Sequence, residues 1–245
     1  MFWDWLTGVQ AAPPGWAVAA SAAVALLIVI SARAWRLTRI AITIAHEGGH
    51  AVASLLSGRR LDGIRLHVDT SGETRSRGRR NGPGLVITTL AGYLTPPLLG
   101  AGASALLAAH RVTLLLSIVL LLLGLTLLMI RNWYGGLAVL LTAGAVLAVT
   151  WLATAQIRAG FAYGIAWFLL FGGIRPVAEL ARSRSRAARR RRPSLSDADQ
   201  LAGLTGLPGG LWVTVFALVA IAALAFGART LIPWPTHLPA AISGH

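Results

Sequence analysis

The chain has 245 residues, 56% of them hydrophobic and only 12% charged, and its mean hydropathy is +0.68. Soluble domains carry about 25% charged residues, and a water-soluble globule of this length cannot hide so much apolar surface; a cytosolic enzyme and a disordered chain are excluded. The 22 basic residues, all arginine, against 8 acidic ones give a net charge of +14. In a chain of apolar segments that excess reads as the arginine of cytoplasmic loops, which sets topology, and no nucleic-acid partner is expected. The absence of cysteine excludes disulfides and thiolate metal sites. Arginine without lysine fits the codon usage of a GC-rich, bacterial genome.

Residues 1–10 hold no basic residue and carry Asp4, a poor start for a signal peptide; Trp3, Trp5 and Trp16 read as interfacial anchors. Apolar spans follow at 14–31, 37–56, 84–109 (interrupted by Pro96 and Pro97), 112–130, 134–152, 156–174 and 209–231. Polar stretches occupy 58–82 and 175–207, the second with the run Arg189 to Arg192. The expected fold is a single all-α polytopic membrane domain over 1–245, with six to seven transmembrane helices and a short β-like loop after the second span. With a cytoplasmic N-terminus and an external C-terminus, sixteen of the 22 arginines lie inside, and Arg33, Arg36, Arg39, Arg111, Arg158 and Arg229 lie outside. The glycines of the spans suit close helix packing in lipid.

The second span is chemically anomalous. It contains His46-Glu47-Gly48-Gly49-His50, an H-E-x-x-H pattern on a helix. Histidines at i and i+4 share one helical face and can grip one Zn²⁺. Glu47, beside the first histidine, can act as general base toward water and then deliver the proton to a leaving amine. An acid inside an apolar helix costs about 2.5–3.5 kcal/mol on insertion scales, so such groups persist when they pair, bind metal or line a cavity. His50 lies about 12 Å before the helix end at 1.5 Å per residue, which puts the metal inside the membrane but toward its cytoplasmic face. Leu61, Ile64, Leu66 and Val68 suggest a short hairpin with its turn at Ser71-Gly72. That hairpin either binds substrate by strand addition or lies as a basic loop against anionic headgroups. His67, His110, His237 and His245 receive no role.

The intramembrane HEGGH helix resembles the site-2 protease family of membrane zinc metallopeptidases, in a short branch that lacks a PDZ domain. Leu61 to Arg77, with its Gly72-Glu73-Thr74-Arg75, is similar to that branch's β-like loop. Ala91-Gly92-Tyr93-Leu94 is similar to its AGYL stretch, and Ser196-Asp197-Ala198 to its SDA motif. The resemblance covers roughly residues 37–225. The family's usual third ligand, an aspartate in an Asn-Pro…Leu-Asp-Gly setting, has no counterpart here; Leu61-Asp62-Gly63 stands in the wrong place. By its position in the SDA match Asp197 is the first choice, and Asp199 and Glu179 are fallbacks. Ser196 to Asp199 reads equally as an S-x-x-D box capping a short helix.

The resemblance implies a zinc-dependent intramembrane endopeptidase that cuts a membrane-embedded protein near the cytoplasmic face. His46, His50 and Asp197 would hold Zn²⁺, and Glu47 would be base and acid. It also implies a multi-pass location in the bacterial inner (cytoplasmic) membrane. With no room for a PDZ or CBS domain, control is expected from a regulatory membrane partner or a prior cut of the substrate. The rivals are a catalytically inactive membrane scaffold, a membrane metal-binding or transport protein, and an HtpX-type protease. Retention of Glu47, the concentration of ligands in one span and the lack of a soluble catalytic domain argue against them in turn.

Overall fold

The computed structural model describes residues 8–190 and 196–232; Trp3, Asp4, Trp5, Arg191, Arg192, His237 and His245 lie outside them. The elements are α1 (Gly15–Ile30), α2 (Ala32–Leu56), β1 (Arg60–Leu66), β2 (Gly72–Arg77), α3 (Pro83–Ala108), α4 (Val112–Met129), α5 (Trp133–Leu152), α6 (Ala155–Arg189), α7 (Asp197–Thr205) and α8 (Gly209–Leu231). Five helices, α3, α4, α5, α6 and α8, are each long and apolar enough to cross a membrane. Their outward faces expose Leu121, Leu128, Leu141, Leu218 and Ile221, as lipid-facing surfaces do. The protein is an all-α polytopic membrane fold with one small antiparallel sheet.

The first two expected spans are one bent pair. α1 and α2 meet at 101° and together make at most a sixth span, the lower end of the six to seven expected. The break falls on Ser31, whose extended backbone ends α1 and whose Oγ accepts from the Ala34 amide at 3.4 Å, an N-cap for α2. A polar clamp from α6 holds the joint. The Trp35 indole N–H donates to Glu179 Oε1 at 3.1 Å and Arg175 Nε donates to the same oxygen at 3.0 Å. Arg175 also lies 4.8 Å from the Trp35 ring centroid and donates to the Val29 carbonyl, one of the acceptors that the end of α1 leaves without a helical partner.

The bend reassigns the ends of the bundle. The Gln10 amide donates to the His110 carbonyl at 3.0 Å, so the chain before α1 shares an end with the α3–α4 turn. The loop after α2, the α4–α5 connection and the start of α7 lie at the opposite end. Arg39 lies 3.8 Å from Glu179, and Arg33 and Arg36 flank Trp35, which bonds the same carboxylate, so this end of α2 stands in the half that holds these loops. This differs from the expectation that these arginines lie across the membrane from Arg59: hydropathy shows the break after residue 31 but not that the segments on its two sides together make at most one crossing. Among the described arginines only Arg111, Arg158 and Arg229 belong to the Gln10 end.

Small residues bring α3, α6 and α8 together. Gly100 and Gly227 pack on Leu170, and Gly173 packs on Pro97. Leu107, Leu116, Val139, Ala162, Ala166 and Leu170 are fully buried in the main core. A second cluster of Val177, Leu180, Ala198, Leu201 and Phe216 seats α7 against α6 and α8.

The hairpin runs back along α2. Ile64 pairs with Thr74 and Leu66 with Gly72, and the register shifts at Asp62, between Leu61 and Gly63. The turn lies earlier than the sequence suggests: the His67 amide donates to the Ser71 carbonyl at 2.8 Å, and Gly72 already begins β2. Beside it, Thr43 Oγ1 donates to the Thr70 carbonyl at 2.8 Å. The α4–α5 connection covers the outer edge of β1. The Arg131 amide donates to the Ile64 carbonyl at 2.9 Å, and the Asn132 side chain bonds both the amide and the carbonyl of Leu66, at 3.2 and 2.7 Å. Among the described residues no strand pairs with the outer edge of β2.

Candidate metal centre

Four elements converge on the HEGGH segment. Helical spacing puts His46 and His50 on one face of α2, with ring centroids 4.7 Å apart at 85°. The start of α7 brings Asp197 over them. His46 Nε2 and His50 Nε2 are 3.1 Å apart, and Asp197 Oδ2 is 3.3 Å from each. These are the three described groups whose ligand atoms converge closely enough to hold one metal ion.

The triangle suits zinc. A tetrahedral zinc with ligand bonds of about 2.0–2.1 Å separates its ligand atoms by about 3.3 Å, close to the three observed edges. The donor set of two imidazoles and a carboxylate is one that zinc takes, leaving a fourth position for a reacting group. Support outside the triangle agrees. His50 Nδ1 lies 2.7 Å from the Thr88 carbonyl, which can only accept. Nδ1 therefore carries the proton and Nε2 presents its lone pair to the triangle. Gly92 makes room on the α3 side: a Cβ there would fall on His50 Nε2 and 2.7 Å from His46 Cε1. Next to it Tyr93 sets its ring edge-on to His46 at 4.8 Å and stacks on Phe216.

The SDA stretch divides two tasks between two acids. Asp199 Oδ2 accepts from the Ser196 amide at 3.2 Å and the Ser196 hydroxyl at 2.5 Å, and its Oδ1 is paired with Arg184. Asp199 is thus the cap, and Asp197, two residues earlier, turns to the histidines. Burial works to raise the Asp197 pKa, but the two imidazoles 3.3 Å away outweigh it and hold the carboxyl below its usual range. Asp199 and Glu179, the fallback ligands, are both engaged elsewhere. Glu179 is the acceptor of the α1–α2 clamp, and Asp62 of the LDG sequence pairs with Arg77 at 2.8 Å on the hairpin.

Glu47 is buried at 5% exposure beside the triangle. Its Oε2 accepts from the Thr74 hydroxyl at 2.7 Å, and the same Oγ1 lies 3.1 Å from the Glu47 carbonyl. The carboxylate rests against the Gly72 backbone. The centre opens into a cleft of about 900 Å³, lined by the three candidate ligands, Glu47, β2, Thr88, Thr89 and Gln200, with Arg59 and Arg80 at its rim. Sequence reasoning named His46, Glu47, His50 and Asp197, which the structure brings together, but gave no place at the centre to Thr74, Gly72, Gly92, Tyr93 or Asn132. The first four stood inside quoted motifs, whereas nothing in the sequence marks Asn132.

The family model described as Peptidase M50B-like matches residues 19–227. The chain belongs to this family, part of the site-2 protease family of intramembrane metallopeptidases. No curated protein and no solved structure matches it.

Proposed function

We propose that the protein is a zinc-dependent endopeptidase that cuts a membrane-embedded protein from the cytoplasmic side of the bilayer. The observation that carries this reading is the near-equilateral triangle of His46, His50 and Asp197 ligand atoms with the Glu47 carboxylate beside it. Zinc held there supplies Lewis acidity, polarising a scissile carbonyl and acidifying water. Glu47 takes the proton of the attacking water on its carboxylate and hands it to the leaving amine nitrogen. Asp197 and the Nε2 atoms of His46 and His50 hold the metal, and the Thr88 carbonyl keeps the His50 ring in register.

A helical substrate hides its carbonyls, so the cut segment must be extended. The uncovered outer edge of β2 borders the cleft and suits an extended peptide added as a third strand. The arginine distribution supports the orientation: all described arginines but Arg111, Arg158 and Arg229 lie in the half of the bundle with the site, which the positive-inside rule puts at the cytoplasm. The Gln10 end then faces away from it. The bacterial inner membrane as location and control by a membrane partner belong to the same proposal.

The test is metal analysis and cleavage by the full chain in detergent. Wild type should hold one zinc per chain, and His46→Ala/His50→Ala should hold none. Glu47→Gln should keep the metal and lose cleavage by at least about 100-fold. A wild type that binds no zinc overturns the proposal, and zinc binding without cleavage of any membrane substrate favours the scaffold reading.

A further inference from the structure

The strand β2, Gly72-Glu73-Thr74-Arg75-Ser76-Arg77, alternates small and charged side chains. Alternate residues of a strand share a face, so Gly72, Thr74 and Ser76 form one side. This face lies on α2 and the turn after it. Thr74 meets Glu47, and Ser76 Oγ accepts from Arg59 Nε at 3.2 Å. At Gly72 the approach is closest: a Cβ would fall 2.5 Å from Glu47 Cγ, 2.7 Å from Oε1 and 2.8 Å from Cδ. Any side chain at position 72 must push either the strand or the carboxylate aside.

A glutamate reaches its target through three rotatable bonds, and the helix that carries Glu47 fixes only its Cβ. Here the Thr74 hydroxyl donates to Oε2, while Oε1 carries no hydrogen bond from any described residue. One oxygen is thus anchored and the other is left to take a proton. We infer that Thr74 and Gly72 are positioning residues for the general base. β2 then serves the reaction as the support of Glu47, over and above any strand pairing with substrate. The inference rests on the peptidase reading, which makes Glu47 the base.

The experiment compares Thr74→Val, Thr74→Ser and Gly72→Ala in the full chain in detergent, with fluorescein-labelled casein as the probe substrate. Thr74→Val keeps the shape and loses the hydroxyl. It should lower kcat about 10- to 100-fold, as lost outer-shell hydrogen bonds do, with KM changed less than about threefold. Thr74→Ser restores the donor and should recover most of kcat. Zinc content should stay at the wild-type value in both, because Thr74 touches the base and none of the ligands.

A second readout needs no activity. The chain has no cysteine, so Thr43→Cys with Thr70→Cys gives a single pair for oxidative cross-linking of the hairpin to α2. Gly72→Ala should reduce the cross-link severalfold and Thr74→Val should leave it unchanged. Wild-type kcat in Thr74→Val, failure of serine to rescue, or full cross-linking together with wild-type kcat in Gly72→Ala would each overturn the inference. The peptidase reading fails differently: zinc-loaded wild type then cleaves nothing, while the cross-link still reports whether Gly72 is pressed on Glu47.

Discussion

Asp197 and Asp199 stand two residues apart on one helical turn, and the structure gives them opposite duties that can be separated by mutation. Asp199→Ala removes a helix cap worth about 1 kcal/mol and an ion pair with Arg184 whose partners are 21% and 24% exposed, worth up to about 1 kcal/mol more. For a chain of this size each kcal/mol shifts Tm by about 2–4 °C, so the metal-free protein should unfold several degrees lower. Zinc binding should persist, because the Asp199 carboxylate takes no part in the triangle. Asp197→Ala should do the reverse. It leaves the cap intact. It deletes one of three ligands, and zinc affinity should fall more than about 100-fold, beyond the range for outer-shell losses. The assay is thermal unfolding in detergent with and without zinc. At a zinc concentration of 100 Kd the wild type gains about 2.7 kcal/mol, a rise of roughly 5–11 °C, which Asp199→Ala should retain and Asp197→Ala should lose. If Asp197→Ala keeps the zinc-dependent rise, or Asp199→Ala loses it, the division of labour is wrong.

Three further outcomes are expected. Gly92→Ala puts a methyl group onto the His50 ring and should cost zinc affinity about 10- to 100-fold, read by competition with a chromogenic chelator. Glu179→Ala leaves Trp35, Arg175 and Arg39 without their acceptor and should destabilise the chain by about 1–3 kcal/mol while zinc stoichiometry holds; loss of the metal would restore Glu179 as a ligand. Single cysteines at Arg80 and Ser185 should be labelled from the cytoplasmic face by a membrane-impermeant thiol reagent, and one at Ala109 from the opposite face. A further single cysteine at Ala11 should be labelled from the same face as Ala109, because the Gln10 amide bonds the His110 carbonyl; labelling of Ala11 from the face of Arg80 would refute the bent α1–α2 span.

Much of the centre was legible because helical spacing is local. His46, Glu47 and His50 sit within five residues, and a 3.6-residue period alone puts both imidazoles on one side. Asp197 was reachable only by motif order, since the sequence could not tell a ligand from a cap. The structure puts the cap on Asp199 and turns Asp197 to the two histidines. The hairpin's strands were visible in the spacing of Leu61, Ile64 and Leu66, yet its turn was placed too late. Ser71-Gly72 looks like a turn pair, but Gly72 is glycine because a carboxylate lies against it, and Thr70 takes the positive φ of 66° instead.

By itself the sequence determined the solvent, the helix content and the placing of Glu47 with two histidines on one helix, because hydropathy and helical period act within a segment. The tertiary structure decided three other things. The bend at Ser31 joins two apolar segments into one bent pair, which puts three arginines in the site's half. Asp197, 147 residues beyond His50, becomes the third group of the triangle through the apolar seat that Val177, Leu180 and Phe216 give α7. A strand from a polar loop becomes the support of the buried base. Each depends on contacts between segments far apart in the chain, whose geometry no local pattern of residue types encodes.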